Sequence, residues 1–524
     1  MNHRLLNAAV LLFSALTALS CERPPQEEPA PKSISLSVDS FEAVQEGGTF
    51  SLEVTAPSRP YVTDCPDWIA FEVGPFANYK MAVSLVVKPN DTYEIRSSEL
   101  VVSAQGVTSQ KIKVTQAGKI YNPTPPTPSP EDNDAWKVAA WLGLGWNMGN
   151  HFDGFFGDWA GEREGVPDEM AWQQQGKATQ ATFEGVKAAG FTSVRIPVSW
   201  LKMIGPGPDY KIDETWMNRV YEVVQYAYNA GLTVIINTHH DENHGANNTY
   251  QWQDIKKASD DAAVNTQIKA EIKAVWTQIA TKFKDCDDWL IMEGFNELND
   301  GGWGWSADFR ANPRKQCNIL NEWNQVFVDA VRATGGKNAT RWLGVPTYAA
   351  NPSFEQYFTL PSDPAKKTML AVHFYDPSDY TIGDEQWSDW GHTGQVGKKS
   401  SGSDETHVIE VFSALCTKYV EKGIPVYWGE FGCSRRAKSD TRAWRFYLYY
   451  LEYVVKAAKT YGMPCYLWDN GAEGTGKEQH GYIHHGTGDY VNGSKEIIDV
   501  MVRAMTDNDS AYTLQSVYNS APTF

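Results

Sequence analysis

The chain has 524 residues, 42% of them hydrophobic and 21% charged, which reads as soluble and globular and too long for one ordinary core. A formal charge of −18 disfavours a polyanionic partner such as nucleic acid and leaves a neutral substrate indifferent. The 20 Trp and 25 Tyr supply flat surfaces that can stack on sugar rings, although the same side chains also fill ordinary cores.

The first element is an apolar run, "LLNAAVLLFSALTAL", from Leu5 to Leu19, preceded by Arg4. It is too short and too near the terminus for a spanning helix and reads as a secretory signal over residues 1–20. It ends at "ALSC", which resembles a bacterial lipoprotein cleavage box with Cys21 as the lipidated new N-terminus. Ala18 stands where such boxes usually carry Leu, and a plain secreted protein with an unmodified Cys21 is the alternative. The following "CERPPQEE" resembles a surface-export tag of Bacteroides-like lipoproteins, which implies an outer-membrane protein displayed at the cell surface. Residues 21–33 are rich in Pro and Glu and read as a flexible tether. The other six cysteines form no C-x-x-C pair, which argues against a zinc ribbon and leaves buried free thiols as the expectation.

From Ile34 the pattern alternates apolar and polar residues between turn signals, in "SISLSVDS", "GTFSLEVTA", "MAVSLVVKP" and "SELVVSAQG". This predicts a small all-β, immunoglobulin-like sandwich over residues 34–118. Trp68 in "CPDWIAF", Asn90 and Arg96 in "KPNDTYEIRSSELVV", and the closing "VTQAG" resemble the BACON domain. That family name implies carbohydrate binding. No platform of solvent-facing aromatics is evident, so Trp68 is expected in the core and the domain to act as a spacer. Residues 119–134, "KIYNPTPPTPSPEDND", form a Pro-rich, polyproline-like linker.

Residues 135–524 alternate again, at larger scale. Eight apolar, β-rich runs ("LGLGWNMG", "FTSVRIPVSW", "LTVIINTHH", "WLIMEGFNE", "RWLGVPTY", "MLAVHFY", "IPVYWGEFG" and "MPCYLWDNG") interleave with helical stretches, several ending at Gly. Near-continuously apolar strands covered by helices predict an α/β fold, a (β/α)8 TIM barrel with insertions. A doubly wound open sheet is the runner-up, but no Gly-rich phosphate loop follows the first strand.

A barrel of this kind places its active site at the C-terminal ends of its strands. The eight runs end near Asn147, Arg195, His239, Asn296, Glu297, His373, Tyr375, Glu430 and Trp468. Glu297 and Glu430 close the fourth and seventh runs, and two converging carboxylates can break a glycosidic bond. A separation of about 5–5.5 Å gives retention through a covalent glycosyl-enzyme, and about 6.5–9.5 Å gives inversion.

"FNE", "GEFG", "GFTSVRIPVSW", "HFY" and "LWDNG" resemble glycoside hydrolase family 5 in order and placement, over residues 135–505. "GLGWNMGNHFDG" and "WDNG" are most similar to its subfamily 4, endo-acting β-glucanases that include xyloglucanases. The resemblance implies that Glu297 is the acid/base, with a raised pKa, and Glu430 the nucleophile. It implies that Asn296 holds the sugar 2-hydroxyl, and that Arg195 and Tyr375 hydrogen-bond Glu430, the guanidinium keeping it ionised. His239 and His373 would position the sugar and the catalytic pair, Trp468 would stack under the ring, and Asn147 and Trp252 would join the substrate site. Glu293 lies four residues deeper than Glu297 and is expected to be a structural acid paired inside the barrel, with a basic residue as the natural partner. Strict alternation would send Asn296 and Glu297 to opposite faces, so the strand must bend or end there.

"HHDENH", His239 to His244, raises the rival of a metal hydrolase, but it lacks H-E-x-x-H spacing and follows a strand-like run. His240 and His244 are expected at the cleft edge as hydrogen-bonding groups, with no metal and no cofactor. Loops over about 240–261, 299–313 and 377–403 carry Trp252, Trp303, Trp305, Trp387 and Trp390, expected to wall a groove for an extended β-glucan. Xyloglucan is the leading substrate, with cellulose-like, mixed-linkage and mannan chains open. A non-catalytic surface glycan-binding protein is the alternative of another class. A monomer is expected, with polysaccharide and membrane as partners.

Overall fold

The computed structural model describes residues 29–92, 95–118, 133–242, 250–383, 387–400 and 402–524. The signal segment, Cys21, most of the Pro-rich linker and His244 lie outside them. The chain divides into two compact units, Met1–Tyr121 and Asn122–Phe524.

The first unit is a sandwich of two four-stranded sheets, β1-β3-β6-β5 and β2-β8-β7-β4. Its strands are β1 (Ser35–Leu36), β2 (Ser40–Ala43), β3 (Gly48–Thr55), β4 (Tyr61–Thr63), β5 (Ile69–Val73), β6 (Lys80–Val87), β7 (Arg96–Ser103) and β8 (Gln110–Gln116). Alternation explains the packing. Along β6, Met81, Val83, Leu85 and Val87 point inward, and Leu100, Val102, Ile112 and Val114 meet them from the other sheet. Trp68 is half-buried against this core, with the Arg96 guanidinium 4.5 Å from its ring centroid.

The second unit closes eight parallel strands into a barrel in chain order. They are β9 (Leu144–Met148), β10 (Ser193–Ile196), β11 (Thr233–Asn237), β12 (Leu290–Glu293), β13 (Leu343–Pro346), β14 (Thr368–Phe374), β15 (Val426–Phe431) and β16 (Cys465–Asp469). Every residue of these strands is buried, as expected for a sheet with side chains inside and helices outside. The helices have legible ends. Asp213 caps Glu214–Asn229 by accepting from the Trp216 N–H, and the chain reverses at Gly231, whose φ is 77°. Asp404 caps Glu405–Lys418 in the same way. All six cysteines in the described residues are free thiols, five of them buried. Among the described residues no helix is long and apolar enough to cross a membrane.

Two departures from regularity position the chemistry. β12 stops at Glu293, and the chain bends through Asn296 and Glu297. Glu297 is therefore past the strand rather than on it, and the bend removes the alternation conflict between the two residues. In β15 the register slips on both sides: His373 pairs with Glu430 while Val372 pairs with Trp428, and Trp428 and Phe431 face Cys465 and Leu467. The extra residue is a bulge at Gly429–Glu430, and a bulge re-aims a side chain at a strand end. A Cβ on Gly429 would lie 3.1 Å from His373 Nε2, so glycine lets the two strands approach there.

Candidate active site

Arg195, fully buried on β10, organises the mouth of the barrel. Its Nη2 donates to Glu293 Oε1 at 2.7 Å and to Asn296 Oδ1 at 2.8 Å. Its Nη1 donates to Glu430 Oε1 at 2.9 Å and to Asn147 Oδ1 at 3.0 Å. Its Nε donates to Glu293 Oε2 at 3.1 Å. Burial alone would lower the guanidinium pKa, but Glu293 and Glu430 outweigh it and hold the group charged.

Glu293 is the structural acid of this layer, paired with Arg195 inside the barrel. It also accepts from the Tyr427 hydroxyl at 2.6 Å and from Asn237 Nδ2 at 2.9 Å. Burial pushes its carboxyl up, and Arg195 and Tyr427 bring it below the ordinary range. Asn147 is equally committed: its Nδ2 donates to the Gly429 and Tyr466 carbonyls and none of its surface is exposed. Arg195 makes the expected bond to Glu430, but neither it nor Asn147 is open to substrate as expected: both are a buried support for the residues that face it, because a wholly covered side chain cannot reach a sugar.

Glu430 receives Arg195 on Oε1 and the Tyr375 hydroxyl on Oε2 at 3.0 Å. His373 Nδ1 sits 2.7 Å from Glu297 Oε1 and 3.7 Å from Glu430 Oε2. The ligating atoms of Glu297, His373 and Glu430 all lie within 4.8 Å of one another, the close spacing of a retaining pair. Glu297 also accepts from the Trp303 indole N–H at 3.4 Å. Asn296 uses its Oδ1 on Arg195, which leaves its Nδ2 to donate elsewhere.

Burial pushes Glu430 above its ordinary 4.5, and the negative Glu297 adds to this, while His373, Arg195 and Tyr375 pull the other way without prevailing. Burial also pushes Glu297 up, but the His373 hydrogen bond and charge carry it below 4.5. His373 is raised above 6.5, its burial outweighed by Glu430 and Glu297. The two carboxylates thus favour the charged form of the His373 imidazole, one hydrogen bond away from Glu297.

His239, at the end of β11, is nearly covered. Asn237 fixes its orientation: Asn237 Oδ1 accepts from the Val198 N–H, so Nδ2 must donate to His239 Nδ1, at 3.1 Å. The His239 proton therefore sits on Nε2, which lies 3.9 Å from both Glu430 Oε1 and Asp153 Oδ2. Asp153, His239 and His240 bring their ligating atoms within 4.8 Å, the separation a cation would need. The donor set does not fit one, because His239 would have to release the proton that Asn237 places on Nε2. His240 lies 3.5 Å from both Asp153 and Glu242; burial lowers its pKa, and the two carboxylates raise it to about 10.

Trp468 ends β16 with 8% of its surface exposed and lies parallel to the His239 ring, 5° between planes. It packs on the Gly149 backbone, where a Cβ would come within 2.6 Å of the indole. The loop tryptophans divide. Trp303 and Trp305 are open to solvent, at 48% and 78%. Trp252 is half-buried and donates to Asp241, and Trp387 donates to Asp379. Trp390 is buried among Tyr449, Tyr450 and Tyr453, so it is core and not groove wall. Sequence reasoning missed Asp153 and Trp172, both in the long segment after β9. Trp172 is 40% exposed, with its ring 5.1 Å from His240. The length of that segment was the available signal.

Residues 156–474 match the family model for cellulase (glycosyl hydrolase family 5). The chain belongs to glycosyl hydrolase family 5. It is 34% identical over 364 residues to endoglucanase A of Paenibacillus barcinonensis, covering 66% of this chain and 84% of that one. It is 31% identical over 481 residues to a xyloglucan-specific endo-β-1,4-glucanase of Bacteroides ovatus, covering 88% and 90%. Among solved structures, a family 5 subfamily 4 broad-specificity endoglucanase from Bacteroides salanitronis is 48% identical, covers 74% of this chain and 98% of its own, and superposes with a TM-score of 0.66.

Proposed function

We propose that the protein is a retaining endo-β-1,4-glucanase whose preferred substrate is xyloglucan. The observation that carries the chemistry is the close approach of Glu297 and Glu430, bridged by His373 and backed by Arg195. In this reading Glu430 attacks the anomeric carbon, with Arg195 and Tyr375 holding its two oxygens. Glu297 protonates the departing glycosidic oxygen, drawing on the proton shared with His373. Asn296 donates to the hydroxyl beside the anomeric carbon. Glu297, then ionised, deprotonates the water that hydrolyses the glycosyl-enzyme. Glu430→Ala should abolish hydrolysis while keeping glycan binding, measured by product assay and affinity electrophoresis. Unchanged turnover would remove Glu430 from the mechanism.

The xyloglucan preference is supported by the Bacteroides ovatus relative, which matches through most of both units. A broad β-glucanase is the second reading, favoured by the more closely matching Bacteroides salanitronis endoglucanase. Measuring kcat/KM on xyloglucan, carboxymethylcellulose, mixed-linkage glucan and glucomannan separates them. A preference for xyloglucan of about tenfold or more, roughly 1.4 kcal/mol, supports the first. Equal values support the second.

The same reading places the enzyme at the cell surface, held by a lipid on Cys21, with the sandwich as a BACON-like spacer. Cys21→Ser should move activity from the membrane fraction to the soluble fraction. Residues 34–118 alone should not be retarded by xyloglucan in a native gel, and retardation would make the sandwich a binding module.

A further inference from the structure

Glu297 presents a puzzle that the pair alone does not solve. Both of its oxygens are occupied in the free site, Oε1 by His373 and Oε2 by Trp303. An acid that delivers a proton to a glycosidic oxygen needs one of them. The two bonds are unequal. His373 stands on a strand, is nearly buried, and approaches to 2.7 Å. Trp303 stands on a loop, is half exposed, and approaches only to 3.4 Å. At that length the indole bond is the weaker and yields first.

The loop is built to deliver the indole. Trp303 adopts a φ of 44°, an unfavourable conformation for a bulky side chain. Its neighbours enforce it. Asn299 Oδ1 accepts from the N–H groups of Gly301 and Trp303, at 2.7 and 3.2 Å. Asp300 accepts from the Gly302 N–H, the Ser306 hydroxyl and Gln316 Nε2. Gly304 follows at a φ of 88°, against Phe354, where a Cβ would come within 2.1 Å. Strain that the surroundings over-determine is a feature of functional sites.

We propose that Trp303 is a positioning residue that pins Glu297 Oε2 in the free enzyme and is displaced by the arriving sugar, which frees that oxygen to protonate the glycosidic bond. The inference rests on Glu297 being the acid. An N–H donated to a carboxylate favours the ionised form, as the His373 bond and then the Trp303 bond do here, and removal of the indole on binding raises the proton affinity of Glu297 when the proton is needed. The other groups that act on Glu297 are His373 on β14, Glu430 on β15, His240 after β11 and Tyr375 after β14. These stay in place in a Trp303 variant.

The test is the pH dependence of wild type and Trp303→Phe on a soluble β-1,4-glucan. The alkaline limb of kcat/KM reports the free enzyme and that of kcat the complex. In the wild type the kcat limb should lie at higher pH than the kcat/KM limb. Trp303→Phe should raise the kcat/KM limb toward the kcat limb and close the gap, with kcat/KM at the optimum falling about 2- to 10-fold from the lost contact. No gap in the wild type, or a gap unchanged in the variant, overturns the proposal. Azide rescue of Glu297→Ala on an aryl cellobioside whose leaving group needs no protonation tests the underlying reading separately. No rescue removes the acid assignment, whereas rescue together with an unmoved gap removes only the role of Trp303.

Discussion

At the scale of single residues, one guanidinium divides its charge between an acid that holds the barrel together and an acid placed to react. Arg195 meets Glu293 with two nitrogens and Glu430 with one. Glu293→Gln keeps the shape and removes one of these charges. It should cost about 1.5–3 kcal/mol of stability, because Arg195 loses one of its two carboxylate partners and keeps Glu430. Chemical denaturation measures this. The same change leaves the whole Arg195 charge to Glu430, so the nucleophile should ionise at lower pH and the acid limb of activity should move down. In the wild type that limb should lie above pH 4.5, because activity is lost as pH falls through a Glu430 pKa raised above 4.5. The alkaline limb of kcat/KM should lie above pH 6.5, because activity is lost as pH rises through the raised His373 value of the free enzyme and the shared proton leaves. A pH–rate profile with either limb on the wrong side contradicts this assignment. The two glutamates and Arg195 were legible in the sequence because each sits in a short motif at a strand end, and the depth of Glu293 marked it as structural. The role of Asn147 and the Trp303 bond were not legible, because each depends on which side chains barrel closure brings opposite them.

At the scale of elements, the eight strands and their order followed from alternation between apolar runs and capped helices. The end of β12 ahead of Asn296 and Glu297 followed from the conflict in their alternation, whereas the bulge at Gly429–Glu430 did not, since it depends on partner strands. These irregularities aim Glu430 and Glu297. The contact between the ends of β9 and β16 can be tested directly. A methyl group at Gly149 would meet the Trp468 ring at 2.6 Å and the Asp469 carbonyl at 2.9 Å. Gly149→Ala should tilt the indole and lower kcat/KM by about 10- to 100-fold while far-UV circular dichroism stays unchanged. Loss of the folded signal instead would make Gly149 a folding position rather than a site position.

At the scale of the whole molecule, the pH dependence of stability separates support from chemistry. Asp363 is pushed up by burial but held at about 2 by Arg332, and Glu169 at about 2 by His151 and Arg219. Depressed carboxylates contribute stability above their unfolded values, 3.8 and 4.5, and lose it as pH falls toward 2. Between pH 7 and 4 opposing groups offset each other. Buried His151 and His480 must charge on unfolding and lose stability as pH falls from 6.5 toward 4. Asp241 and Glu271, raised to about 7 by burial, gain it over the same interval. The urea midpoint should therefore be nearly flat from pH 7 to 4.5 and fall steeply below. A steep fall already at pH 6 would contradict this balance. The division into a sandwich and a barrel followed from the change in periodicity across the Pro-rich stretch. The occupant of the groove did not, because specificity rests on loops whose tryptophans divide between core and surface in ways no spacing reveals.

The claim beneath all of this is that Glu430 forms a covalent bond to the sugar while Glu297 faces it across the cleft. A cellobiosyl donor fluorinated beside its anomeric carbon and carrying an activated leaving group should trap that intermediate. Mass spectrometry of the digested enzyme should find one glycosyl adduct, on the peptide carrying Glu430. An enzyme that turns over glucan yet gives no adduct, or an adduct on a different carboxylate, would contradict the mechanism.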